Sequence, residues 1–356
     1  MQENIVREER KIGIPGNMNV LPYYTNTSWD EETNGLYYFS FKYGSLAPAV
    51  YFYHVDTDTS EKLFDLTLLK NEKDIRYLTL SVFLPKRDLL FFIADNSIAA
   101  ADLKTGKQEI KIPIDAARNH HGTTITAEER LLCFGTSGEG SVQTEVQIFD
   151  TALPEWKEVK KIPLPINASH FQFFPNGEDI LFAHEGNTTK IPDRLNLLNW
   201  KTGELRCLHH HICDANGNLI ECIGHEHIAG KKVLAVRYPD SQMDFGIIVV
   251  DPETGNFELV SQGDYWHSAS NQDGTKFVMD TMWWANSRRK IPGLVDVVLF
   301  DAVRKEKHVL KTFPVGPLTS QLYHVHPHMN HIGDKVLYTV RPTDAEESHL
   351  ELLLLK

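Results

Sequence analysis

Asp102-Leu-Lys-Thr-Gly106 opens on a side chain that can bond its own backbone and closes on a glycine that accepts positive φ, so it reads as a tight turn between two strands. The pattern recurs as Asp56-Thr-Asp-Thr-Ser60, Asn199-Trp-Lys-Thr-Gly203 and Asp251-Pro-Glu-Thr-Gly255, with weaker copies starting at Asp150 and Asp301. Successive copies are 46 to 52 residues apart, the length of one four-stranded propeller blade.

A second series runs in the same phase. Seven short apolar runs each read as a buried strand: Leu36–Phe39, Leu89–Phe92, Leu131–Phe134, Ile180–Ala183, Val233–Val236, Phe277–Asp280 and Val336–Thr339. Polar turns such as Pro175-Asn-Gly-Glu-Asp179 precede most of them. Together the two series predict an all-β, seven-bladed β-propeller, with residues 1–356 as a single domain. The strand-like Leu350–Leu355 is expected to pair with N-terminal residues, which closes the ring and removes exposed sheet edges. An open pair of β-sandwiches has no use for a sevenfold period.

Composition fits a folded chain of this size. Its 356 residues are 42% hydrophobic and 10% aromatic, enough to fill a large core. The N-terminal MQENIVREERKIG has no apolar signal-peptide core, and no run is long enough to span a bilayer, so the expected compartment is the cytoplasm. Cys133, Cys207, Cys213 and Cys222 form no CxxC pair and read as reduced thiols. A formal net charge of -12 argues against nucleic acid or an anionic membrane as partner, because both require a basic surface.

The repeat phase also organises the histidines. Of the 17, His120-His121, His170, His225, His267 and His324 each fall about ten residues before a buried strand. That is one structural position, expected near the end of the innermost strand or in the turn after it, and it brings these imidazoles to one mouth of the central channel. A single such histidine reads as a polar residue lining a wet channel; five at one phase read as a constellation.

The densest stretch is Ser320-Gln-Leu-Tyr-His-Val-His-Pro327. At strand spacing His324 and His326 share a face. With His267 of the neighbouring blade and the Gln321 carbonyl they make a four-ligand set for a borderline ion such as Mn, Fe, Ni or Zn, and no cysteine suggests a thiolate zinc site. His209-His-His211 and the calcium-loop-like Asp214-Ala-Asn-Gly-Asn218, which lacks the glutamate at position twelve, are read as surface loop. No phosphate loop, GxSxG elbow or paired catalytic acid motif stands out.

Ser169-His-Phe-Gln-Phe-Phe-Pro175, Ala183-His-Glu-Gly186, Asp193-Arg-Leu195, Ile223-Gly-His-Glu226, Trp266-His267 and Gln321-x-x-His324-x-His326-Pro327 together resemble the oligogalacturonate lyase family. The resemblance covers roughly residues 165 to 330, and its Gln-x-x-His-x-His element is the most specific part. It implies a seven-bladed propeller that cleaves short pectin fragments by β-elimination with a divalent metal, usually manganese. It implies His267, Gln321, His324 and His326 as metal ligands, His225 as Brønsted base and Arg194 as carboxylate partner. His170, His184 and Arg237 stand as candidate substrate contacts, and His227 as an alternative base. The partner it implies is an acidic oligosaccharide. Asn187-Thr-Thr-Lys190 and the insertion around Asp214–Leu219 depart from the family pattern.

The implied chemistry is coherent. The C5 proton of a uronate is weakly acidic until the neighbouring C6 carboxylate is neutralised, after which an imidazole near neutrality can remove it. Two other readings remain open on sequence: a metal-dependent enzyme acting differently or on another uronide, and a noncatalytic binding propeller.

Overall fold

The computed structural model describes residues 5–115, 117–152, 155–282, 293–316, 320–342 and 345–356. Seven antiparallel sheets form a seven-bladed β-propeller. Blade 5 is representative: Ile223–Ala229 is innermost, Lys232–Arg237 second, Gly246–Val250 third and Phe257–Gln262 outermost. The seven runs read as buried strands are the second strands of the seven blades, and the Asp/Asn turns join third to fourth strands. In those turns Asp102 Oδ1 accepts from the Lys104 and Thr105 amides at 3.0 and 2.7 Å, and Gly106 takes φ +70°.

Why the second strands carry unbroken apolar runs follows from their place in the ring. Alternate side chains of one strand face opposite neighbours. In blade 4, Ile180 and Phe182 pack against blade 3 while Leu181 packs against blade 5; in blade 5, Leu234 and Val236 face blade 6 while Val233 and Ala235 face blade 4. Both faces are buried, so no alternation shows. Seven apolar clusters result, one between each adjacent pair of blades.

The chain ends close the ring as expected. Val6–Ile12 pairs antiparallel with His349–Leu355 as the outermost strand of blade 7, in a register running from Val6 opposite Leu355 to Ile12 opposite Leu350. Among the described residues no helix is long and apolar enough to cross a membrane, and the four cysteines are free.

Two expectations about local structure are corrected. The recurrent histidines lie near the start of the innermost strands, not their ends, because those strands begin at the mouth where the histidines gather. The innermost strands of blades 3 to 6 each carry a register shift there, between His120 and Thr123, Ser169 and Gln172, Gly224 and His227, and Tyr265 and Ser268. A bulge of this kind re-aims a side chain. Further, His324 and His326 are not on a strand: Gln321–Tyr323 is a 3-10 turn, and the chain reaches the two-residue strand His328–Met329 only after His326, at φ +39°.

Candidate metal centre

His267, His324 and His326 offer ligand atoms that all lie within 4.8 Å of one another, and all three residues are buried. His267 comes from the bulged innermost strand of blade 6, Tyr265–Ser270, and the other two from the loop entering blade 7. The ring centroids are 5.4 Å apart for His267 and His324, 4.4 Å for His267 and His326, and 5.1 Å for His324 and His326. The left-handed backbone at His326 replaces strand alternation as the device that turns both imidazoles inward, a conformation that costs a non-glycine residue on the order of 1–3 kcal/mol.

Donor chemistry suits a cation. His267 Nδ1 faces Asp280 at 2.8 and 3.0 Å, so the proton sits on Nδ1 and the Nε2 lone pair is left for a ligand bond. The Nε2 atoms of both His267 and His326 are buried with no hydrogen-bond partner among the described residues. Unpaired buried acceptors are costly unless something satisfies them. Burial, with the neighbouring imidazoles adding to it, pushes His326 well below the usual histidine range, so it stays neutral as a ligand must. Gln321 lies in the 3-10 turn before His324; its exposed side chain has no hydrogen-bond partner among the described residues.

His225 adjoins the trio, its ring 4.3 Å from that of His267. It sits in the blade 5 bulge at φ +48° and exchanges a hydrogen bond between Nδ1 and the Tyr238 hydroxyl. Gly224 makes room for this: a Cβ there would collide with the Tyr238 ring. Burial pushes His225 well below the usual range, helped by His267, His170, Arg194 and His324. The alternative base His227, which burial holds down to about 4, has among its ring contacts only Tyr24 of the site, at 6.3 Å.

His170 occupies the equivalent bulge of blade 4 at φ +55°, its ring nearly parallel to that of His225 at 6.4 Å. Its Nδ1 meets Glu226 Oε1 at 2.7 Å and its Nε2 lies 3.6 Å from Glu185. Arg194 is buried beneath both carboxylates, with Nε 3.1 Å from Glu226 and Nη2 3.4 Å from Glu185. Burial pushes the Glu226 carboxyl up, but Arg194 and His170 outweigh it and hold it down to about 2.

Not every expected residue joins this cluster. Arg237 is buried at 3% exposure, Nε 2.6 Å from Glu221 and Nη1 3.1 Å from the Asp244 carbonyl, in the group around Glu221 rather than in the imidazole cluster. His184 is tied to Asp193 at 2.8 Å. His209 and His211 are not surface loop: both are buried, and His209 Nε2 meets Glu221 at 2.7 Å.

Sequence reasoning missed Tyr23 and Tyr24. They lie in a buried N-terminal segment outside the repeat phase. Tyr24 is packed under the imidazoles, with ring centroids 5.9 Å from His225 and 6.0 Å from His267 and His326, and its hydroxyl donates to the Glu226 carbonyl at 3.3 Å. Tyr23 stands between His326 at 4.7 Å and His170 at 5.0 Å. The signal that was available is the apolar and aromatic run Leu21-Pro-Tyr-Tyr24, which lies within a stretch buried from residue 18 to residue 24.

No family model matches the chain. A segment of 89 residues is 29% identical to beta-scruin of Limulus polyphemus, covering 25% of this chain and 9% of that protein. Among solved structures, an oligogalacturonate lyase in complex with manganese superposes with a TM-score of 0.79 at 16% identity, covering 98% of this chain and 93% of that one. An oligogalacturonate lyase from Vibrio parahaemolyticus gives 0.77 at 16% identity, with 98% and 95% covered. The β-propeller domain of the trilobed protease of Pyrococcus furiosus gives 0.55 at 12% identity, with 90% and 92% covered. At these identities the likeness establishes the seven-bladed propeller fold, and the two lyases share it over nearly their whole length.

Proposed function

We propose that this protein is a divalent-metal-dependent lyase that cleaves short oligogalacturonides by β-elimination. The observation that carries the reading is the convergence of His267, His324 and His326, with buried unpartnered Nε2 atoms on two of them, directly against the His225 ring. The family resemblance selects these same residues, and a similar fold is recorded with manganese.

In this reading the three imidazoles hold the ion, with the Gln321 carbonyl as oxygen ligand from the preceding turn. The bound cation supplies positive charge against the C6 carboxylate of the substrate, which makes the C5 proton removable. His225 is the base. Its neutral form is favoured by burial and by the surrounding imidazoles and Arg194, and with Nδ1–H donated to Tyr238 the Nε2 lone pair is free to take the proton. The electron pair of the C5–H bond becomes the C4–C5 double bond as the C4–O4 bond breaks, and the departing oxygen is protonated to a hydroxyl. No water is consumed, so paired glycosidase carboxylates are not needed.

Arg194, already shared by Glu226 and Glu185, acts by positioning His170 and Glu226 rather than by gripping substrate. His170 keeps the role of substrate contact, because it lines the cavity beside the cluster.

The test is ultraviolet absorbance of the conjugated double bond during incubation with di- and trigalacturonate, with and without chelator and added manganese, beside a His225→Ala variant. A metal-dependent rise that the variant loses supports the reading. Metal binding without any rise contradicts galacturonate elimination.

A further inference from the structure

The elimination involves two proton transfers, and His225 accounts for one of them. The C4 oxygen is a poor leaving group unless an acid protonates it as the C4–O4 bond breaks. One further imidazole is placed to supply that proton. His170 lines the cavity beside the metal centre with its side chain 19% exposed, and its ring is nearly parallel to that of His225 with centroids 6.4 Å apart. That separation is about two hydrogen-bond lengths of roughly 2.6–3.2 Å, so the two side chains can reach neighbouring atoms of one sugar.

What surrounds the two rings differs. His225 has the His267 imidazole at 4.3 Å and the neutral Tyr238 hydroxyl on its Nδ1. His170 faces a carboxylate at each nitrogen: Nδ1 lies 2.7 Å from Glu226 and Nε2 lies 3.6 Å from Glu185. A neutral imidazole donates from one nitrogen only, whereas a ring between two carboxylates is arranged to donate from both. Arg194 reaches both carboxylates from behind, at 3.1 and 3.4 Å, and keeps them anionic. At 3.6 Å the Glu185 contact is longer than a hydrogen bond, so the Nε2 proton is not committed to it. Titratable pairs whose surroundings differ in this way divide into acid and base.

Other proton donors on the same wall fit less well. The Tyr23 hydroxyl oxygen is buried. His120 packs on Tyr77 at 5.3 Å with Nε2 3.3 Å from the Asn96 carbonyl, and His121 Nε2 is taken by Ser137 at 2.6 Å.

We propose that His170 is the general acid of the elimination. As the electron pair of the C4–O4 bond passes to the departing oxygen, His170 Nε2 gives that oxygen a proton, while His225 takes the proton from C5. One proton is lost and one gained by the protein, and exchange with solvent restores both imidazoles before the next turnover. Glu226 and Arg194 are positioning residues that hold the His170 ring through Nδ1. The assignment rests on the lyase reading.

The test compares two substrates on the manganese-loaded protein, both followed by absorbance of the double bond: digalacturonate, and a galacturonide carrying fluoride in place of the C4 hydroxyl. Fluoride departs without a proton, so only the first substrate needs an acid. General acid catalysis is worth about 100–10,000-fold, so in His170→Ala the ratio of kcat/KM for the fluoride to that for digalacturonate should rise about 100-fold or more over the wild type. His170→Gln, which can still donate to Glu226, should show the same rise, and His225→Ala should depress both substrates alike. A loss in His170→Ala that the two substrates share equally, as a role confined to positioning predicts, would overturn the acid, and so would no loss. Double-bond formation from both substrates with an unchanged ratio in the variant sinks the acid alone. No double bond from either substrate with the wild type sinks the lyase reading and the acid with it.

Discussion

Two groups of buried histidines stand on different blades and differ in what surrounds them. At the outer end of blade 4, His209 meets Glu221 at 2.7 Å, Glu221 also holds Arg237 at 2.6 Å, and the Ile212 amide adds a third bond at 3.0 Å. Burial pushes Glu221 up, yet these partners together hold it down to about 2. That group balances its own charge. At the channel mouth, His267, His324 and His326 face one another, and the carboxylate paired with His267, Asp280, stands behind it. Buried histidines are therefore not a site in themselves. Buried unpaired ring nitrogens occur beside the outer group too, at His211; what distinguishes the mouth is that three imidazoles converge within 4.8 Å of one another.

Substitutions should split the two groups cleanly. The largest effect is expected for His267→Ala or His326→Ala, which should lower turnover by about a thousandfold or more, as losing a catalytic metal does, with the fold retained by circular dichroism. In the other group, Glu221→Ala leaves Arg237 buried and uncompensated. It should cost about 3–5 kcal/mol in denaturant unfolding while manganese affinity stays within about twofold. An Ala variant at 221 that lost metal instead would erase the distinction between the groups.

Acid sharpens the comparison, because each region has one carboxylate held down to about 2, Glu221 outside and Glu226 beside the mouth. A carboxyl depressed on folding stabilises the native state fully above its unfolded value of about 4.5, and the contribution is lost as pH falls through the folded value. Each should therefore withdraw about 3 kcal/mol between about pH 4.5 and 2. Unfolding free energies measured across that window should flatten by a similar amount in Glu221→Gln and in Glu226→Gln. A smaller effect is expected behind the metal centre. Asp280→Asn keeps the shape but removes the anion that fixes the His267 tautomer, and should weaken manganese binding by about 10–100-fold with little change in stability.

Much of the fold was legible because it repeats. The Asp/Asn turns and the doubly buried second strands recur seven or nearly seven times, and the last strand, Leu350–Leu355, needed a partner that only the N-terminus could supply. Two of the metal-binding candidates, His267 and His324, were legible through the same phase, and His326 through its spacing from His324. Their geometry was not: the bulge that re-aims His170 and His225, and the left-handed His326 before Pro327, are local irregularities that no period encodes. Arg194 and Arg237 looked like free cations because their partners, Glu226 and Glu221, are 32 and 16 residues away in sequence and meet them only across strands. Tyr23 and Tyr24 belong to a segment outside the repeat, where periodicity carries no information.

The central claim is that the mouth of the propeller is a metal centre. Equilibrium dialysis of the purified protein against manganese, followed by metal analysis of wild type, His326→Ala and His209→Ala, tests it most directly. The account predicts one ion per chain in the wild type and in His209→Ala, removable by chelator, and none in His326→Ala. Manganese retained by His326→Ala, or none held by the wild type, would contradict it.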